Sequence, residues 1–218
     1  EAMPVVEGTP EADRWTRLSA QRVHRAAVQR MRDGRVEVAV ARAAADAGRL
    51  YLELLAGDDD VELFSMLDRT RMLPIAASVA TSLDALHRAT GDMDNARESL
   101  VWYREILDRR PRDGSVLEAA GDLATLLEDR PFALDCWRRL LRGAPDGSEL
   151  WWKARTRQIE ALLLEDPLKA SEVFQQLQVL YPDLGPDPWR EQLRKLDVAI
   201  ELALTENPQE PASDGGDA

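Results

Sequence analysis

Apolar side chains return every three to four residues along most of this chain, and glycine, proline and aspartate interrupt the rhythm. That spacing is the signature of helices with one inward face. Helical spacing begins near Ala12, with Trp15, Leu18, Val23, Ala26, Ala27, Val28 and Met31 as candidate inward positions, and Asp33-Gly34 supplies a stop. A second, alanine-rich helix is predicted from Arg35 to Ala56, and a third from about Val61 to Met72 behind a capping Asp60. Pro74 belongs in the first turn of a helix ending at Thr90. Further breaks fall at Gly91-Asp92, Pro111–Gly114, Asp129–Pro131, Gly143–Gly147, Asp166-Pro167 and Pro182–Pro188, and a last helix is predicted from Pro188 to Thr205. No stretch alternates apolar and polar residues between turn signals, so the fold class is all-α.

A phrase recurs within this rhythm: a small residue, an aromatic four positions on, and a proline eight beyond that. It reads Ser99-x3-Tyr103-x7-Pro111, then Ala133-x3-Trp137-x7-Pro145, then Ala170-x3-Phe174-x7-Pro182, with the small residues 34 and then 37 positions apart. Such a period belongs to stacked helix pairs, because one pair cannot bury its own apolar face. In the second copy Leu117, Ala120, Gly121 and Ala124 precede Ala133, Trp137, Leu140 and Pro145. The small residues permit close helix crossing, and the tryptophan fills the space between neighbouring units.

These residues resemble the tetratricopeptide repeat family. The third copy keeps Ala154, Ala161, Ala170, Phe174, Leu177 and Pro182 but departs at Arg157 and Gln158, and the first has Asp84 and His87 where the family prefers a small residue and a tyrosine. The resemblance implies an α-solenoid, a right-handed superhelix of antiparallel helix-turn-helix pairs. The expected organisation is a leader over 1–11, helical pairs without the signature over 12–73, three repeats over 74–182, a capping helix over 183–206 and a disordered acidic tail over 207–218.

The resemblance also implies a non-catalytic scaffold whose concave groove holds a peptide or protein segment. The side chains that family geometry turns toward this groove include Thr81 and Arg88, Glu118 and Asp122, then Trp152, Arg155 and Ile159. Ser78 and Ser115 lie on the same faces. Chaperone-binding members clamp a terminal carboxylate with lysine and asparagine. Here Ala85, Asp122 and Ile159 stand at the asparagine positions, so that specificity is not carried over. The alternative is a structural or self-associating domain of a larger bacterial-type protein, with exposed tryptophans as interface residues. A homo-oligomer is compatible with either.

Charge narrows the partner class. The chain of 218 residues has a net charge of −12, which argues against nucleic acid, since phosphate binding wants a basic face. The excess is uneven: residues 1–56 hold nine arginines against eight acids, whereas 183–218 hold three basic and nine acidic side chains. No apolar run is long enough to suggest membrane insertion. A beginning at Glu1-Ala2-Met3 suggests a fragment of a longer or processed chain, with a cytoplasmic setting favoured.

Candidate chemistry is sparse. Cys136 reads as a small buried hydrophobe, and His24 and His87 as structural or surface residues rather than zinc ligands. Asp58-Asp59-Asp60 lacks the spacing of a calcium loop, and no phosphate-binding glycine loop or nucleophile elbow is present. Neither a cofactor nor a catalytic residue is expected. An enzyme would require a carboxylate pair hidden by the fold.

Overall fold

The computed structural model describes residues 10–33, 37–56, 64, 67 and 72–206. Among them all regular secondary structure is helical, in the order α1 (Pro10–Arg32), α2 (Val38–Ala56), α3 (Leu73–Thr90), α4 (Met93–Arg109), α5 (Gly114–Leu126), α6 (Arg130–Gly143), α7 (Glu149–Glu165), α8 (Pro167–Leu180) and α9 (Trp189–Glu206). The helix expected over 61–72 lies outside the described residues apart from Phe64, Leu67 and Met72, as do most of the leader and the tail.

The helix ends follow from local chemistry. Gly91 closes α3 in the left-handed region, at φ 74°, with its N–H on the His87 carbonyl. Asp92, Ser148 and Asp166 then cap α4, α7 and α8 by accepting backbone N–H groups of the first turn. Pro74, Pro131 and Pro167 all sit in first turns, where a missing N–H is harmless.

The chain divides into two compact units, Glu1–Leu123 and Ala124–Ala218. In the first, α1 packs on α2, α2 on α3 and α3 on α4. The small residue of the first repeat phrase marks one such crossing: Ser99 on α4 is fully buried and donates to the Ala80 carbonyl of α3 at 2.8 Å. In the second unit α6 packs on α7, α7 on α8, and α9 on both α7 and α8. Ala133, Trp137, Ala170 and Phe174 are all buried, as the phrase requires.

One crossing in the first unit is tighter than the sequence suggested. A Cβ added to Gly48 on α2 would stand 2.6 Å from Val79 Cγ2 on α3 and 2.7 Å from His24 Nδ1 on α1. Only a hydrogen fits where these three helices meet, and Ala41, Ala44, Ala45 and Leu52 continue the same buried stripe. This crossing also corrects the inward face of α1. Ala20, His24 and Ala27 are buried, whereas Trp15, Leu18, Val23 and Ala26 are exposed. A 3.6-residue period fits both stripes, and the face that carries His24 between Ala20 and Ala27 is the one that meets Gly48. Gly48→Ala is expected to destabilise the protein by about 1–3 kcal/mol through overpacking. Chemical denaturation would measure it, and an unchanged midpoint would refute the close crossing.

Candidate functional site

Helices α1 and α3 flank a trough on the first unit. His24 meets Ser78, and Met31 accepts from Ser82 at 3.6 Å, so the paired positions advance in the same direction and the two helices run parallel. Two adjoining cavities, of about 720 and 800 Å³, share Val28, Arg32, Pro74 and Ser78 and form one channel between the helices. The first also reaches Arg25, Ile75 and Tyr51. The second continues past Met31 and Ala85 to Thr81 and Arg88.

His24 fixes the spacing of the walls. Its Nδ1 stands 2.8 Å from the Ala44 carbonyl, which can only accept, so Nδ1 carries the proton. In the neutral ring Nε2 then accepts the Ser78 hydroxyl at 2.7 Å. One imidazole thus ties α1 to α2 and to α3. The ring is buried, and desolvation, with a smaller contribution from the Arg25 charge, holds its pKa below the usual histidine value despite the opposing pull of the Ala44 hydrogen bond.

The polar side chains of the trough fall into two groups. Asp84 is buried and forks onto Arg88, with Nε to Oδ1 at 3.0 Å and Nη2 to Oδ2 at 2.8 Å. This hydrogen-bonded partner raises the Arg88 pKa, so its charge is fixed but largely balanced. Arg25 and Arg32 differ: both are exposed, and among the described residues neither has an ion-pair or hydrogen-bond partner. They belong to a helix with six arginines, Arg14, Arg17, Arg22, Arg25, Arg30 and Arg32, in a protein of net charge −12. The floor between them is apolar, from Val28, Met31 and Ile75.

The sequence-predicted residues distribute unevenly. Thr81 and Arg88 line the trough, and Thr81 donates to the Ala77 carbonyl at 2.8 Å while its hydroxyl stands 3.4 Å from that of Tyr103. Glu118 and Asp122 lie half-buried on α5. In the second unit, Trp152 is only 3% exposed and Ile159 fully buried, so the expectation that both face a groove is corrected. For Trp152 the cause is the segment after α8. Tyr181 packs against both Trp151 and Trp152, with ring centroids 5.2 and 5.0 Å away, and Leu184 is buried in the same core. Gly185 lies so close to Trp152 that an added Cβ would collide with the indole, and its φ of +77° suits glycine. Arg155 is half-buried, stacks 5.2 Å from the Trp151 ring and donates to Gln158. Desolvation lowers its pKa.

Sequence reasoning missed Arg25 and Arg32 as site residues and His24 as the joint between the walls. The spacing of two arginines at i and i+7 on the helix richest in arginine was the available signal. Among the described residues no cluster of histidine, cysteine and carboxylates could hold a metal ion, and no helix is long and apolar enough to cross a membrane.

No family model matches the chain, and no curated protein matches it either. Among solved structures it is similar to a thermophilic TPR protein of Thermus thermophilus, at 18% identity and a TM-score of 0.39, covering 85% of this chain and 99% of that one. The helix pairing described above rests on this chain's own contacts.

The buried neutral imidazole has a consequence for stability. Its folded pKa lies below the unfolded value of about 6.5, so the unfolded chain takes up the proton first as pH falls. Stability is therefore full above the unfolded value and declines as pH drops toward the folded one, by at most about 1.4 kcal/mol per pH unit for one site. Thermal unfolding between pH 7.5 and 5.5 is expected to show this decline in wild type and a flatter profile in His24→Gln. Identical slopes would remove His24 as the cause.

Proposed function

We infer that this protein is a non-catalytic interaction module, and that the α1–α3 trough of its first unit holds a segment of another protein. The observation that carries this reading is the trough itself: an open, apolar-floored channel with polar rims and a width set by a buried hydrogen-bonded joint. Apolar floors supply affinity and polar rims orient the guest. Thr81 and Arg88 serve this role directly, with Glu118 and Asp122 as further contacts on the same unit.

Ala85 lines the second cavity and is half-buried, so Ala85→Trp fills that part of the channel without entering the main core. Peptides selected from a randomised display library on the wild-type chain are expected to lose binding to Ala85→Trp while its thermal unfolding stays unchanged. Selected peptides indifferent to the substitution would place the binding face elsewhere.

A second reading, self-association, is favoured by α8, where Val179 is 81% and Leu180 70% exposed in the last turn. Light-scattering mass that rises with concentration in wild type and not in Val179→Asp would support it.

A further inference from the structure

We propose that the trough selects an internal acidic segment, one whose two carboxylates bracket an apolar side chain, rather than a chain terminus. This rests on the trough being the binding site. Arg25 and Arg32 stand on the same side of α1, seven residues apart, a rise of about 10 Å. Val28 lies one turn from each, and Ile75 and Pro74 face it from α3. One turn of polyproline II, three residues, covers about 9 Å and returns the side chain to the same face. A passing segment in that conformation with carboxylates at positions i and i+3 can therefore meet both guanidiniums and lay an intervening apolar side chain on Val28 and Ile75.

The distribution of charge supports an internal segment. The guanidiniums are strung along the channel and do not converge at one end, and the two adjoining cavities make the channel continuous past Arg32 toward Arg88. A terminal carboxylate would want several donors around one point. Charge complementarity also sets the sign of the guest. His24 is neutral in the folded state, Asp84 is already forked to Arg88, and Tyr51 and the glutamines Gln21 and Gln29 are uncharged. The Asp33 carboxylate at the end of α1 is taken up by Gln29, so the guanidiniums of Arg25 and Arg32, unpaired among the described residues, supply the free positive charge of the trough, within a chain that is negative as a whole. Arginine's planar fork matches carboxylates in particular.

The probe is a fluorescein-labelled, terminally blocked peptide with two glutamates three positions apart and leucines between them, read by anisotropy against its glutamine counterpart. Wild type is expected to bind the glutamate peptide about tenfold more tightly, with the difference shrinking at high salt. The double variant Arg25→Glu, Arg32→Glu is expected to lose that preference and to favour the lysine counterpart. Both side chains are exposed, so unchanged circular dichroism should accompany the change, with the variant folded at the pH of the assay by thermal unfolding, since the Arg25 charge that helps lower the His24 pKa is reversed. Equal affinity for the glutamate and glutamine peptides, abolished by Ala85→Trp, would overturn the acidic preference and leave the trough as the site. Binding insensitive to both Ala85→Trp and the arginine reversals, or no binding of any of these peptides, would overturn both. A preference appearing only when the peptide ends in a free carboxylate would overturn the internal-segment assignment alone.

Discussion

Gly48 is the point on which the first unit turns. Where α1, α2 and α3 meet, its missing side chain lets Val79 and the His24 ring close to distances no Cβ would allow. Everything that shapes the trough follows from that approach. Because α2 lies so near both neighbours, one imidazole can reach the Ala44 carbonyl and the Ser78 hydroxyl together. That double attachment holds the parallel helices α1 and α3 at a set spacing and fixes the width of the channel between them. A larger residue at position 48 would move the helices apart and remove the joint together with the walls.

The second unit solves the same packing problem with bulk. Trp151 and Trp152 are adjacent on α7 and point in different directions, yet both are buried because Tyr181, Leu184 and Gly185 wrap around them. The backbone at Leu184 and Gly185 takes positive φ, 57° and 77°, and this tight turn brings the segment onto the indoles before α9 begins. A surface that a regular helix pair would leave open is thereby closed. Large apolar side chains remain exposed on α8 and α9, at Val179, Leu180, Val198 and Leu202.

The helices and their ends were legible in the sequence because their causes are local. Gly91, Asp92, Asp166 and the first-turn prolines act within a few residues of themselves. The repeat phrase was legible for a similar reason: Ser99, Ala133 and Ala170 mark crossings by their small size, to which Ser99 adds its hydrogen bond to Ala80. The site was less so. Thr81 and Arg88 reached the trough by resemblance, whereas Trp152 and Ile159 did not, since the segment that covers Trp152 follows the last repeat aromatic, Phe174, and carries no phrase of its own. On α1 Trp15, Leu18 and Val23 looked like part of the inward face and proved exposed, whereas Ala27 is buried and Val28 and Met31 pack against it as expected. Hydrophobicity ranks Trp15 and Val23 above Ala20 and Ala27, but closeness of approach to Gly48 decides, and that depends on a different helix, further along the chain.

The Ser78 hydroxyl has two partners within reach, His24 Nε2 at 2.7 Å and the Ile75 carbonyl at 2.8 Å, and one proton to give. With a neutral ring it serves the imidazole. With a charged ring Nε2 becomes the donor, and the hydroxyl turns to the carbonyl with no heavy atom displaced. The joint is thus a hinge pin that can change its charge without changing its length. Acid weakens the unit as a whole through desolvation, while the channel keeps its gauge for as long as the unit stays folded.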